Sequence, residues 1–177
     1  MSKTVRPRCS PGRTADATTR SSATSHYQNW KKSARVCYPK RVPERDLASL
    51  LITMKPALDP REWVFCCVDR NFPIADANPL CVFRESEGIT IVVERDVARA
   101  MNIEFLFASR RITLRVHSDL QAVGFASTVA TELAKHTIPT NIVSAFHHDH
   151  FFVPSDRGEE ALRVLEDLSA QTARRLL

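Results

Sequence analysis

The stretch that decides the fold is RITLRVHSDLQAVGFASTVATELAKHTIPTNIVSAFHHDHFFVP, residues 111–154. It begins with strict alternation, which places the aliphatic side chains of residues 112–116 on one face of a predicted strand. A stripe of small and aliphatic residues at helical spacing follows and ends before Pro139. Two apolar runs, 141–147 and 150–154, then predict a β-hairpin. This part of the chain therefore predicts the order strand, helix, strand, strand.

The hairpin is followed by RGEEALRVLEDLSA, residues 157–170, which predicts a second helix. Glu159 and Glu160 lie near its start, and Arg174 and Arg175 lie near its end. Acidic residues at the beginning and basic residues at the end suit the helix dipole. Within the segment before the first helix, SDLQ (118–121) is typical of a capping box, which predicts a helix beginning near residue 122.

The upstream half contains a similar set of predicted helices and strands. Leu47, Leu50, Leu51 and Met54 recur at helical spacing, and Pro56 predicts the end of that helix. Further apolar runs predict strands at 62–68, 80–84 and 88–94, a short helix at 95–101 and one more strand around 104–107. The two halves together predict the α+β class, with small sandwiches of antiparallel sheet on one side and helices on the other.

The charge is divided unevenly along the chain. Residues 1–43 contain ten Lys or Arg and a single acid, Asp16, whereas residues 44–177 contain fifteen Lys or Arg and nineteen acids. We predict that residues 1–43 are a disordered basic tail, with an organelle transit segment as the alternative. A mildly acidic folded body argues against nucleic-acid binding, and the sequence contains no apolar stretch long enough for a membrane span.

A family resemblance rests on three segments. Residues 113–154, followed by an Ala-Leu-x-x-Leu helix, closely resemble the small ACT-domain proteins related to the CASTOR family. LLITMKPALDPREWVFCCV (50–68) and FRESEGITIVVERDVA (83–98) are similar to the opening and middle segments of that family. The resemblance implies two ACT-like subdomains of ferredoxin-like βαββαβ topology. We place these at residues 44–110 and 111–177.

The resemblance implies a non-catalytic regulatory module that binds an amino acid or a similar small molecule at a domain or subunit interface. CASTOR-type proteins sense nutrients, so a link to amino-acid metabolism or nutrient sensing is implied. The chain shows no GxSxG, HExxH, P-loop or GxGxxG motif, and we expect neither catalysis nor a cofactor. The alternative is a protein-interaction scaffold that has the fold but no metabolite ligand.

The candidate ligand site is the loop between the first strand and the helix of the second half. A helix N-terminus presents free backbone N–H groups that suit a carboxylate, and a glycine permits close approach. Asp119 could receive an α-ammonium group. The candidate ligand-binding residues are Ser118, Asp119, Ala122, Val123, Gly124, Asn141 and Ser144. The alternative is purely structural: capping by Ser118 and Asp119, and tight packing at Gly124.

The segment HHDH supplies a third hypothesis, a metal site made by His147, His148, Asp149 and His150. Strand alternation sends neighbouring side chains to opposite faces and splits this set into two pairs. Zinc needs three or four ligands that converge on one point. We therefore favour a hairpin turn at 147–150 in which Asp149 occupies the turn.

The expected partners are an amino acid or similar small molecule and, as the assembly to test, a homodimer. We expect no nucleic acid and no membrane among the partners. The five cysteines show no paired framework, which favours a reducing compartment. We expect a cytoplasmic protein, with targeting to an organelle through residues 1–43 as the alternative.

Overall fold

The computed structural model describes residues 42–176. The predictions of a disordered tail or a transit segment fall almost entirely outside the described residues. The helices are α1 (Leu47–Thr53), α2 (Arg95–Ala100), α3 (Phe125–Lys135) and α4 (Gly158–Arg175). The strands are β1 (Pro56–Val68), β2 (Cys81–Arg84), β3 (Ile89–Glu94), β4 (Leu106–Leu114), β5 (Asn141–Ser144) and β6 (Asp149–Pro154). Two 3₁₀ turns, Ile74–Ala77 and Ser155–Arg157, complete the described elements.

The six strands form one sheet in the order β2-β3-β1-β4-β6-β5, and every neighbouring pair is antiparallel. The order has internal symmetry, because β2-β3-β1 in the first half repeats as β5-β6-β4 in the second. The long strands β1 and β4 join the halves through pairs such as Leu58 with Ile112. The predicted α+β fold of ACT-like subdomains, with antiparallel sheet and helices, is confirmed.

The core follows from alternation along the strands. Phe151 and Val153 of β6 are fully buried in a large cluster beneath α1, α3 and α4, where Leu133 and Leu165 meet them. A smaller cluster beneath α2 contains the buried residues of β1 and β3 that point to the same face: Val64, Cys66, Val68, Ile89, Ile91 and Val93. Short helices are only marginally stable in water when isolated. The apolar faces of these helices are buried against the sheet, and this burial stabilises them.

The opposite face of the sheet carries an aromatic cluster and an ion network where the halves meet. Trp63 is almost fully buried, and the guanidinium groups of Arg61 and Arg111 lie 4.9 and 5.1 Å from its ring centroid. Asp59 Oδ2 binds both cations, at 3.0 Å from Arg61 Nη2 and 2.6 Å from Arg111 Nη2. Burial raises the pKa of Asp59, but the hydrogen bonds from Arg61 and Arg111 outweigh it and lower the pKa to about 2.

Strand β4 differs from the prediction. The separate strand expected around 104–107 is wrong, because Leu106 begins a single strand that continues to Leu114. The predicted boundary between residues 110 and 111 falls inside this strand, so the two halves share one sheet. The division into residues 44–110 and 111–177 stays a prediction.

The start of α3 also differs from the prediction. The helix begins at Phe125 with Gly124 as its N-cap, so the predicted capping box at 118–121 is wrong. Residues 119–122 form a turn instead, in which Asp119 accepts the amides of Gln121 and Ala122, while Ser118 Oγ donates to the buried carboxylate of Asp149. Gly124 adopts φ 88°, a left-handed conformation that glycine tolerates without the Cβ clash of other residues.

The β5–β6 hairpin is present, but its turn lies two residues earlier than predicted. The amide of Ala145 donates to the carbonyl of His148 at 3.0 Å, which closes the turn over residues 145–148. Asp149 pairs with Ser144 as the first residue of β6 and is buried. Its expected place in the turn is therefore wrong, because its carboxylate finds two hydroxyl donors inside the protein.

Candidate functional site

The loop between β4 and α3 is shaped by Asp119. Its Oδ1 accepts the amide of Gln121 at 2.8 Å, and its backbone carbonyl accepts the amide of Ala122 at 2.8 Å. Its Oδ2 forms an ion pair with Arg45 Nε at 2.8 Å. The Gln121 amide and the Arg45 guanidinium together lower the pKa of Asp119. The Asp119 carboxylate, which was predicted to receive an ammonium group, is thus already paired with the positive charge of Arg45.

The segment before α1 holds this loop from the other side. Glu44 pairs with Ser118 as a parallel bridge, in which the Glu44 amide donates to His117 O at 3.0 Å. The Asp119 amide in turn donates to Glu44 O at 2.9 Å, and Arg45 Nη2 donates to Gln121 Oε1 at 3.1 Å. Sequence reasoning missed Arg45, since nothing local connects it to a loop more than seventy residues away.

The centre of the site is Asp149. It is 6% exposed, and Ser118 Oγ donates to its Oδ2 at 3.0 Å while Ser144 Oγ donates to its Oδ1. A carboxylate has about four lone-pair directions, so each oxygen can accept a further hydrogen bond. The sequence carried one signal for this role, an isolated acid in an otherwise apolar and imidazole-rich hairpin.

These groups surround a small cavity of about 80 Å³ at the N-terminal end of α3. The helix contributes Phe125 and Ala126 to the lining, and no side chain caps it. Four of the predicted ligand-binding residues line the cavity: Ser118, Asp119, Ala122 and Ser144. One cavity is therefore lined both by a buried carboxyl group and by the first residues of a helix, whose N-terminus carries a partial positive charge.

The other predicted residues lie at the margin. Gly124 precedes the helix and sets its direction, but it does not line the cavity. Val123 is 85% exposed beside it. Asn141 pairs with Phe152 at the far end of β5 and is separate from the cavity. Their assignment as ligand-binding residues remains a prediction.

The four residues of the HHDH segment point to different partners. His148 Nδ1 lies 3.1 Å from Val116 O, and His150 Nδ1 lies 2.9 Å from Thr113 Oγ1. Burial lowers the pKa of His150, and the nearby charge of Arg111 lowers it further. The His147 ring lies 5.4 Å from that of His117, measured between centroids. Within residues 42–176, no three His, Cys, Asp or Glu side chains are placed to hold a metal ion.

Comparison with known families gives two matches. Two ACT-domain family models match in tandem, one over residues 42–110 and the other over residues 108–167. A solved Vibrio cholerae protein of unknown function, described as a possible transport protein, is 36% identical and has a TM-score of 0.64. The alignment covers 70% of this chain and 95% of that one. The chain belongs to the ACT-domain family. The two ACT matches overlap at residues 108–110, which lie inside β4.

More distant structures share the fold of this ACT protein. An Agrobacterium tumefaciens protein is 18% identical with a TM-score of 0.53, and the alignment covers 62% of this chain and 84% of that one. The ligand-free regulatory subunit of aspartate kinase from Thermus thermophilus is 12% identical with a TM-score of 0.50. That alignment covers 66% of this chain and 97% of the subunit. Among curated proteins, no match was found.

Membership in the ACT family has a functional consequence. ACT domains are non-catalytic regulatory modules that generally bind small molecules such as amino acids and often dimerise. The chain is accordingly a tandem ACT regulatory module, whereas the narrower resemblance to CASTOR proteins stays a prediction. None of the described helices combines the length and the apolar character needed to cross a bilayer.

Proposed function

We propose that this ACT protein is a sensor of a free amino acid, whose ammonium and carboxylate groups occupy the cavity between Asp149 and the start of α3. The observation that carries the proposal is that a buried carboxyl group and the start of a helix without a side-chain cap line the same small cavity. The ammonium group of an amino acid suits the Asp149 carboxyl group, and its carboxylate suits the N-terminus of α3. A link to amino-acid metabolism or nutrient sensing follows from this ligand class.

The structure favours a different acceptor for the ammonium group from the one that the sequence predicts. Asp119 is engaged with Arg45 and with the Gln121 amide. Among residues 42–176, the side chains that donate to Asp149 are the hydroxyls of Ser118 and Ser144, and Asp149 forms no ion pair, so its carboxyl group remains available to a cation. Ser118 and Ser144 then position the carboxylate, and the amides of the first turn of α3 receive the ligand carboxylate.

The size of the cavity supports binding at an interface. Cavities for small molecules usually measure about 300–1,000 Å³, and about 80 Å³ suffices only for the head group of an amino acid. The ligand side chain must therefore lie outside, beside Leu120, Val123 and Phe146, which are 66%, 85% and 50% exposed. We propose that a second copy of the chain covers these residues and completes the site. Ligand binding would then favour the dimeric arrangement over the open one.

A melting screen against the twenty amino acids tests the proposal. A ligand at 100 times its Kd stabilises the protein by about 2.7 kcal/mol, which a thermal melt detects readily. The matched controls are the N-acetyl and the amide derivatives of any amino acid that binds, since each lacks one of the two charges. Neither derivative should stabilise the protein.

Two variants locate the ligand. Asp149→Asn should weaken binding about tenfold or more, because a charge-assisted hydrogen bond contributes about 1.5–3 kcal/mol. Asp167→Asn changes an exposed acid of α4 in the same way and should leave the Kd unchanged. Absence of stabilisation by all twenty amino acids, or equal Kd values for both variants, contradicts the proposal.

A second candidate function is a protein-interaction scaffold. It is supported by apolar side chains on the edge strands, where Val82 and Phe83 of β2 and Ile142 of β5 are partly exposed. Edge strands offer unpaired backbone groups to a partner strand. Size-exclusion chromatography with and without the amino acid found in the screen distinguishes the two functions, since only the sensor changes its assembly with the ligand.

A further inference from the structure

The ladder between β1 and β4 breaks at one end of the sheet. Cys66, Cys67 and Val68 pair with β3, but on the side of β4 the register ends at the pair Phe65 and Leu106. Beside the break, Phe107 adopts φ 55°, a backbone conformation that bulky residues rarely take. Residues 103–105, which would continue the ladder, therefore have no strand partner among the described residues.

Two adjoining cavities open at this break. The first measures about 690 Å³ and is lined chiefly by apolar side chains, including Phe65, Phe105 and Leu106. The second measures about 560 Å³ and has a mixed lining that includes the acids Asp69 and Glu87. The two adjoin through three shared lining residues, Cys67, Ile103 and Glu104, and we call them together the groove. Each lies in the size range of known small-molecule sites.

The polar end of the groove is negative. Asp69, Glu87 and Glu104 are exposed there, and none of the three forms an ion pair within the described part of the chain. Among the described residues, neither Lys nor Arg lines this cavity. The neighbouring Arg70 donates through Nη2 to the carbonyls of Glu85 and Ser86, at 3.3 and 3.2 Å.

The apolar end is accessible as well. Leu106 is 80% exposed although it lies within a strand, and it borders the first cavity. An apolar surface next to three carboxylates suits a ligand that has both an apolar body and a positive charge. A free carboxylate on the ligand would be repelled by the acids at the polar end.

We propose that this groove is a second binding site, in the first half of the sheet, for an organic cation with an aromatic or branched apolar body. The apolar body lies against Phe65, Phe105 and Leu106, and the cationic group lies among Asp69, Glu87 and Glu104. The site is separate from the amino-acid site, because the two lie at opposite ends of β4 and share no lining residue.

Calorimetric titration with tryptamine and with indole-3-propionate tests the proposal, because the two probes share the indole body and differ in the sign of the charge. 4-Phenylbutylamine is the second cation. We expect saturable binding of the amines, none of the propionate, and weaker binding at high salt because screening shortens the reach of the carboxylates. Saturation by neither amine, or equal affinity for amine and propionate, overturns the proposal.

Variants in the groove distinguish binding at this site from a nonspecific attraction of amines to the acidic surface. Glu104→Gln with Asp69→Asn should weaken amine binding about threefold for each charge removed. Leu106→Ser should weaken it as well, and because Leu106 is 80% exposed, this variant should keep its thermal midpoint. Glu166→Gln, an exposed glutamate of α4, is the matched control and should leave the affinity unchanged. An equal loss in this control overturns the proposal, whereas Asp149→Asn should leave amine binding intact.

Discussion

The two halves of the sheet repeat one strand order but end differently. After β4, the chain forms a tight loop and the eleven-residue helix α3, whereas after β1 it forms only the 3₁₀ turn Ile74–Ala77. The end of β4 pairs with the start of β1, as in Pro56 with Leu114, but the end of β1 lacks a partner in β4. The paired end encloses a small polar cavity, and the unpaired end leaves a large and largely apolar groove.

The difference shows how a repeated topology acquires two kinds of surface. In the second half, Glu44 and Arg45 bind the loop and reduce the space beside it. In the first half, Pro73 and Pro79 interrupt the connection, and proline opposes both helix continuation and ladder hydrogen bonds. A symmetric pair of ligand sites is therefore not expected in this ACT protein.

The largest expected effect comes from the core that underlies the second half. Phe151→Ala should lower the free energy of unfolding by about 3–5 kcal/mol, because Phe151 is fully buried. Since β6 pairs with the shared strand β4, the first half should unfold with it. Urea unfolding followed by circular dichroism and by Trp63 fluorescence, in a Trp30→Phe background, should give one common midpoint. Separate midpoints would show that the halves unfold independently.

The next effect concerns the buried carboxylate. Asp149→Ala should cost about 1–3 kcal/mol, because the hydroxyls of Ser118 and Ser144 lose their acceptor. Asp69→Ala, at the corresponding open end of the first half, should cost less than about 0.5 kcal/mol since that side chain is exposed. Urea midpoints of the two variants provide the comparison. Equal losses of unfolding free energy in the two variants would mean that the hydrogen bonds of Asp149 do not stabilise the fold.

The ion network of Asp59, Arg61 and Arg111, where the two halves meet, should make the free energy of unfolding depend on pH in acid. The pKa of Asp59 is lowered from 3.8 to about 2, which corresponds to about 2 kcal/mol of stability. A lowered pKa stabilises the folded state fully above about pH 4, and this contribution is lost as the pH falls toward 2. Asp59→Asn should flatten the stability profile between pH 4 and pH 2. An unchanged profile in the variant would assign the acid response to other groups.

The smallest effects are expected at two glycines, where substitution by alanine should lower the free energy of unfolding by about 1–2 kcal/mol each. In Gly88→Ala the new Cβ would lie 2.9 Å from Cys67 Sγ, so the cost is steric. In Gly124→Ala the nearest atom, Leu47 Cδ2, is 3.6 Å away, so the cost arises from φ 88°. Adding Cys67→Ala should recover part of the stability lost in Gly88→Ala. Recovery of Gly124→Ala by Leu47→Ala would contradict this distinction.

Much of the fold could be predicted because its signals are local. The spacing of Leu47, Leu50, Leu51 and Met54 predicts α1, and the last three are buried as expected. The strands predicted at 80–84 and 88–94 are present as β2 and β3, and the turn between them is closed by the Glu85 amide, which donates to the Gly88 carbonyl at 2.9 Å. The short helix predicted at 95–101 is present as α2, and Asn102 follows it with φ 54°. Such elements follow from backbone sterics and side-chain periodicity, which a short window of sequence contains.

The candidate site could be predicted only in part. Ser118, Asp119 and Ala122 of the predicted loop line a cavity, and their role in ligand binding stays a prediction, whereas Asp149 was assigned to a turn. Period-two alternation gives the face of a residue only when the strand boundary is known, and the hairpin turn lies two residues earlier than predicted. The role of Arg45 had no local signal at all.

The sequence by itself therefore determined the class of fold, the helices and the resemblance to ACT domains, since each depends on patterns within about ten to forty residues. The tertiary structure decided which polar groups meet. Ser118 had a plausible local partner as a helix cap, yet it binds Asp149, thirty-one residues away in sequence. A buried carboxylate without donors is far more costly than an uncapped helix end in water. Helix α3 begins at Phe125, and the cavity proposed to receive the ligand lies between its first turn and the hydrogen-bonded pair of Ser118 and Asp149.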